Sequence, residues 1–255
     1  AHNLGDAAST AKGFPKIACV GLDGVLVSFA NTLTESANRA AIAFRAAVEA
    51  ESWDGVEETS ASLASTFVRL DPLHVTHQIV QDKLQGLLGS TDWYHADLPG
   101  NRHHWHIPVV FGGPLAPQFD EAAELAGLSS EEALAQLSQH ECRVLATGFA
   151  PGQPYLGTLP PAWDIPRQSG LTPQVPQGAL AVAVRQFVLF TTAATTGWRH
   201  VGQTAFECFR PDASDPFPLH AGDIVSFDPV DEATLTRIRQ DDTSGNGGAR
   251  RRPVT

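Results

Sequence analysis

The chain has 255 residues, 42% hydrophobic and 18% charged, which allows one large or two smaller packed domains and excludes global disorder. A formal charge of −11 argues against a nucleic-acid or anionic-membrane partner, since either wants a basic face. The three cysteines, Cys19, Cys142 and Cys208, form no CxxC pair, which points to a reducing, cytoplasmic setting without a disulfide framework or zinc knuckle.

No apolar run approaches the ~20 residues that a membrane span needs. Residues 1–15, "AHNLGDAASTAKGFP", read as a flexible leader. "KIACV" and "GVLVSF" then flank Leu22-Asp23-Gly24 as a hairpin. "TESANRAAIAFRAAVEAE" places Ala37, Ala41, Phe44 and Val48 at helical spacing behind Thr34 as N-cap. "GVEETSASLASTFVRLDP" holds two more short strands. "THQIVQDKLQGLL" returns to helical period behind Thr76, with Ile79, Val80, Leu84, Leu87 and Leu88 apolar. The order ββαββα suits a small antiparallel sheet with helices on one face, over residues 16–91.

Residues 92–102 read as a polar linker, and residues 103–232 as a second domain. "HIPVVFGG" is a strand ending at a double glycine. "QFDEAAELAGLSSEEALAQLSQH" reads as two helices, the first ended by Gly127 and the second opened by a Ser129/Glu132 capping box. "CRVLATGF", "GALAVAV", "QFVLFTT", "WRHVGQTAFECF" and "DIVSFDPV" follow as strands, the pattern of a barrel or closed sandwich. Residues 233–255 end in a Gly/Asp/Arg-rich stretch with little to bury and read as a disordered tail.

"ATGFAPGQPYLGTLPP", residues 146–161, concentrates glycine and proline around Tyr155. Such a run specifies one rigid loop, either a tight turn or the preformed rim of a binding site. "HHWH" puts His104 and His106 on one strand face, but no third ligand follows, so no metal site is assigned. The chain has no phosphate-binding Gly-rich loop and no nucleophile elbow. "IACV" and "FECF" place cysteines in apolar surroundings, as inert buried thiols.

"HIPVVFGG", "GFAPGQPYLGTL", "IPRQSGLTPQVPQGALAV", "TGWRHVGQT" and "HAGDIVSFDPV" occur in an order that resembles the allophanate hydrolase subunit 1 family, which includes the 5-oxoprolinase B subunits and KipI-like proteins. The resemblance spans residues 16–230. It implies an α+β, mainly β chain: a small ferredoxin-like α/β domain followed by a cyclophilin-like β-barrel. It also implies a small-molecule substrate and a second cyclophilin-like subunit (the 5-oxoprolinase C subunit, or subunit 2 of the hydrolase), or else a homo-oligomer. Family members open 5-oxoproline with ATP in such complexes, and one branch inhibits a sensor kinase. No cofactor is expected on this chain alone, and ATP only if the complex activity is retained.

The family pattern is departed from at several positions. Phe111 stands for a tyrosine, Pro114 and Ala193 for acidic residues, Thr172 and Gln203 for arginines, and Phe187 and Val188 for small residues. Charge is lost where transition-state charge would need it. The residues assigned catalytic roles are Tyr155, Arg167 and His200. The residues assigned to substrate binding are Phe111, Phe149, Pro151, Gly152, Leu156, Gln186, Phe187, Leu189 and Trp198, around an apolar cavity. Three readings stay open: a subunit of a lactam- or amide-cleaving complex, a stand-alone biosynthetic enzyme for a larger apolar substrate, and a kinase-regulating binding protein.

Overall fold

The structure is a computed structural model that describes residues 13–254, so residues 1–12 of the expected leader lie outside it. The chain divides into two compact units, Ala1–Pro99 and Gly100–Thr255. Among the described residues, no helix is long and apolar enough to cross a membrane.

The first unit is a four-stranded antiparallel sheet, β1 (Lys16–Val20), β2 (Gly24–Ser28), β3 (Val56–Ala61) and β4 (Ser65–Leu70), with helices α1 (Glu35–Glu51) and α2 (His77–Leu88). The order β1-β2-β4-β3 leaves β2 and β3 parallel with β4 between them, a split β-α-β unit through α1. Moving β1 to the end of the chain gives the ferredoxin-like element order. Val25, Val27, Val68 and Leu70 alternate along β2 and β4 onto the apolar stripe Ala37, Ala41, Phe44 and Val48 of α1. Thr34 and Thr76 cap α1 and α2 by accepting from Ala37 N (3.1 Å) and Ile79 N (3.4 Å). Cys19 is exposed on β1, contrary to the buried thiol expected, because β1 is an edge strand with most of its residues exposed.

The polar linker expected over residues 92–102 needs correction. A 3-10 turn at Trp93–His95 packs into the first unit, with the Trp93 ring 5.1 Å from that of Phe44. Tyr94 Oη donates to Phe29 O at 2.7 Å. Two large aromatic side chains outweigh the polar composition around them.

The second unit is built on β5 (His103–Phe111), β6 (Cys142–Thr147), β7 (Pro154–Gly157), β8 (Thr172–Val175), β9 (Ala179–Ala183), β10 (Gln186–Leu189), β11 (Ala194–Thr196), β12 (Arg199–Gln203) and β13 (Ile224–Pro229). Seven of them run in the order β12-β9-β10-β7-β6-β13-β5, and β12 pairs with β5 to close a barrel. β8 and β11 form a separate two-stranded sheet. Helices α3 (Phe119–Leu125) and α4 (Ser130–Gln139) follow β5. Gly127 ends α3 at φ +71°, and the reciprocal Ser129/Glu132 capping box opens α4. The interior is apolar: Ile107, Val109, Val144, Leu156, Leu180, Val182, Phe187, Leu189, Val201, Val225 and Phe227 belong to one cluster. Cys142 and Cys208 are buried and burial pushes both thiols up to about 12, so both are inert.

The glycine-proline run is half loop, half strand. Its loop is closed by Gly148 N donating to Gln153 O (3.0 Å), and Pro154 begins β7 between β6 and β10. The loop is tied down twice to Thr191, whose N donates to Gln153 Oε1 (3.3 Å) and whose Oγ1 donates to Pro151 O (2.9 Å). At Gly152 (φ +68°) a Cβ would stand 2.3 Å from Cys208 O, so no larger residue fits.

The tail is ordered, contrary to the disorder expected over residues 233–255. Helix α5 (Glu232–Asp241) buries Leu235, and β14 (Arg250–Pro253) adds to β5 antiparallel, with Arg252 opposite His104. Between them the Asp242 carboxylate accepts from Ser244 N (3.0 Å), Ser244 Oγ (2.6 Å) and Gly247 N (2.7 Å). Arg210 then donates to Asn246 Oδ1 (2.9 Å) and Gly245 O (2.9 Å). Polar contacts, the burial of Leu235 and the packing of Ala249 together order this segment.

Two outcomes test this account. Gly152→Ala is expected to cost about 2–3 kcal/mol by forcing a backbone clash at positive φ, while Gly148→Ala, with open space around it, stays within about 0.5 kcal/mol; urea unfolding of both variants compares them. Asp242→Ala is expected to raise amide hydrogen exchange across residues 242–253 and leave β9 and β10 unchanged; equal protection in variant and parent would refute the carboxylate as the tail's clasp.

Candidate functional site

Strand alternation sorts the candidate residues onto two faces of the barrel wall. Val144, Leu156, Phe187 and Val182 lie opposite one another across β6, β7, β10 and β9 and point inward, each with no exposed surface. Leu189 points the same way. Phe111 packs against the edge of this interior, its ring 5.8 Å from that of Phe119. The expected apolar pocket lined by Phe111, Leu156, Phe187 and Leu189 is therefore corrected: period-two alternation spends these side chains on the closed core.

The outer face carries a parallel row. Tyr155 is opposite Val188, Val188 opposite Ala181, and Ala181 opposite His200. Ala179, Ala181, Val188, Phe190 and Val175 form a second apolar cluster there, against which Tyr155 and Trp198 pack. The Tyr155 and Trp198 rings meet edge to face at 6.2 Å. The alanines of β9 make a low floor between larger neighbours. Gln186 shares this face with Val188 by alternation, one step along β10.

Arg167 is brought to the same place by its flanks. Arg199 Nη1 donates to Pro166 O at 2.7 Å, and Gln168 N donates to Gly197 O at 2.8 Å. Arg199 itself is fixed by Glu121 on α3, at 2.7 Å. Arg167 Nε consequently lies 3.7 Å from the position a Cβ on Gly197 would take. Its charge acts on Tyr155: burial raises the phenol above its ordinary value and Arg167 pulls it back down. Tyr155 is thus a protonated donor at neutral pH. Among the described residues, no hydrogen bond or ion pair engages Tyr155 Oη, the Arg167 guanidinium, the Gln186 amide or Trp198 Nε1.

His200, opposite Ala181, is the buried end of this row. It is 5% exposed, and its Nε2 faces Gln203 Oε1 at 3.2 Å. Gln203 is held in turn by donating from Nε2 to Gln177 O (2.8 Å) and Thr204 O (3.0 Å). Burial lowers the His200 pKa against the raising effect of its bonds to Gly202 and Gln203. The ring is thus a buried support of the floor, with Nε2 bonded to Gln203.

In the loop, Phe149 (φ +73°) is 81% exposed. Pro151 and Gly152 anchor the loop through the Thr191 and Cys208 contacts described above and do not line the outer row. Two residues absent from the sequence-based assignment, Gln118 and Gln168, also belong here. Gln118 Nε2 donates to Gln168 Oε1 (2.8 Å), and Gln168 Nε2 donates to Thr172 Oγ1 (3.0 Å) and Trp198 O (3.1 Å). Gln118 Oε1 also accepts from His200 N (2.9 Å). Their only sequence signal is that Gln168 follows Arg167; Gln118 reaches the site from before α3 through the fold. Thr172 sits inside this neutral network. His104 and His106 stack at 4.4 Å, with His104 bonded to Ser226 Oγ and Arg252, and among the described residues no cluster of three metal-ligating side chains occurs.

The chain matches the family model described as carboxyltransferase domain, subdomain C and D, over residues 15–219. It is 29% identical over 224 residues to the 5-oxoprolinase B subunit of Bacillus subtilis, covering 84% of this chain and 92% of that one. The 5-oxoprolinase B subunit of Escherichia coli is 36% identical over 126 residues, 49% of this chain and 58% of the relative. Among solved structures, the protein TTHA0988 superposes with a TM-score of 0.69 at 28% identity, over 82% of this chain but only 40% of that larger one. The urea carboxylase of Kluyveromyces lactis shares the fold, at a TM-score of 0.69 and 16% identity over 91% of this chain and 23% of that enzyme. This chain belongs to the carboxyltransferase-domain, subdomain C and D, family, as a relative of the 5-oxoprolinase B subunits.

Proposed function

We propose that the chain is the B-type subunit of a complex that opens a lactam or amide bond, and that it supplies the substrate-holding face of the shared site. The observation that carries this reading is the meeting of Tyr155, Trp198 and Arg167 on one half-buried wall, where among the described residues no hydrogen bond engages the Tyr155 hydroxyl or the Arg167 guanidinium. Arg167 would take a substrate carboxylate, and the neutral Tyr155 phenol would donate to an amide carbonyl as charge develops on its oxygen. The Trp198 ring would cover the apolar side of a small ring. These groups position and polarise; a nucleophile or activating group comes from elsewhere. The relatives' name, as B subunits of 5-oxoprolinase, supports a 5-oxoproline-like substrate and further subunits.

The wall offers one free arginine and no Gly-rich phosphate loop, a poor fit to a nucleoside triphosphate. We assign ATP, where the reaction needs it, to another subunit. The reading as an enzyme for a large apolar substrate rested on Phe187 and Leu189 as pocket walls, and it loses that support.

Reconstitution with the remaining subunits of a 5-oxoprolinase, followed by loss of 5-oxoproline, tests the proposal. Arg167→Ala is expected to lower kcat/KM by about 100-fold and Tyr155→Phe by about tenfold, with thermal midpoints unchanged within about 2 °C. Parental activity in both variants would refute it. Leu189→Ala separates core from site: it should cost about 2–5 kcal/mol of stability while the kcat/KM of the folded fraction stays at the parental value.

A further inference from the structure

The segment that carries Arg167 belongs to no strand or helix. Residues 164–168 run as irregular chain after the short turn at Pro161–Trp163. Without a ladder of its own, the segment is held by contacts on either side of Arg167. Val184 N donates to Ile165 O (2.8 Å) and Arg199 Nη1 to Pro166 O (2.7 Å). Gln168 N donates to Gly197 O (2.8 Å), and Gln118 Nε2 donates to Gln168 Oε1 (2.8 Å). Two of these ties lead to the start of α3. Gln118 immediately precedes the helix, and Glu121 in its first turn holds Arg199 Nε at 2.7 Å. One short element therefore grips both flanks of Arg167, one directly and the other through Arg199.

Arg199 is 8% exposed and lies opposite Val182, an inward-facing residue. Its side chain thus leaves β12 on the face away from the Tyr155 row. A guanidinium presents its donors in a fixed fork, and this fork spans a carboxylate and a backbone carbonyl at once. The Arg167 guanidinium, by contrast, has no hydrogen bond or ion pair among the described residues, so the fold places its backbone alone. A long exposed side chain keeps rotamer freedom, and the reach of its charge depends on where its Cα is held. Burial and Arg167 are the influences on the Tyr155 phenol; Glu121 and Arg199 are not among them.

We infer that Glu121 and Arg199 are positioning residues for Arg167: the pair braces Pro166 from behind the wall and so sets how closely the Arg167 charge approaches Tyr155 and a substrate. The inference rests on the reading of Arg167 as the cation that meets the substrate.

Two measurements separate the brace from that reading. The chain has two tyrosines, so in a Tyr94→Phe background an ultraviolet titration follows the Tyr155 phenol alone. Arg167→Ala is expected to move its midpoint to higher pH, since a nearby positive charge favours the phenolate. Glu121→Gln and Arg199→Lys are expected to move it the same way by a smaller amount, and to add nothing once Arg167 is alanine. The sign decides, because loss of the Glu121 carboxylate acting only through space would move the midpoint to lower pH. In the reconstituted complex, Glu121→Gln is expected to lower kcat/KM about fivefold in the parental chain and less than about twofold in Arg167→Ala, per folded molecule. A phenol midpoint that stays or falls in both variants, or equal losses of kcat/KM in the two backgrounds, would overturn the inference. The expected phenol shifts without any loss of 5-oxoproline in the complex would uphold the brace and overturn the substrate reading.

Discussion

The register of β10 between β7 and β9 is the constraint on which the second unit rests. With Phe187 opposite both Leu156 and Val182, one set of side chains closes the barrel and the other builds its outer wall. A slip of one residue would bring Gln186 and Val188 into the interior and expel two large apolar side chains. Each interior side chain is worth roughly 2–5 kcal/mol against truncation, so the register is strongly fixed. The same fixing holds Tyr155 on the face where it meets Trp198.

Around that wall, precision comes from neutral polar groups. Gln118, Gln168 and Gln203 each make two or more hydrogen bonds that tie one strand or loop to another. Amides carry donors and acceptors together, so one glutamine can bridge backbone groups of both kinds. Thr172 and Gln203, both uncharged, complete networks here. Beside these neutral networks, Arg167 is the cation whose charge acts on Tyr155.

Much of the fold was legible. Helix periods, the Thr34 and Thr76 caps, the Ser129/Glu132 box and the motif order all gave correct elements, because each is a local or contiguous signal. Which face each side chain would take in "QFVLF" was not legible. Val188 and Phe190 are as apolar as Phe187 and Leu189, since the outer face is itself covered, and a run apolar on both faces shows no alternation. The order of the tail was hidden for a related reason: it depends on Arg210 and Ala205, more than thirty residues away, and composition does not report partners so distant.

The C-terminal strand also sets the charge of one edge of the barrel sheet. β14 covers the first half of β5 and thereby becomes the outermost strand at that edge. Arg250, Arg251 and Arg252 are all exposed along it. An open strand edge invites a neighbouring chain to extend the sheet, with aggregation as the usual result. Here a second copy approaching edge to edge would set arginine against arginine, in a chain that is otherwise acidic. A segment with almost no apolar content thus lines this strand edge with three exposed arginines, the kind of charge that discourages edge-to-edge pairing.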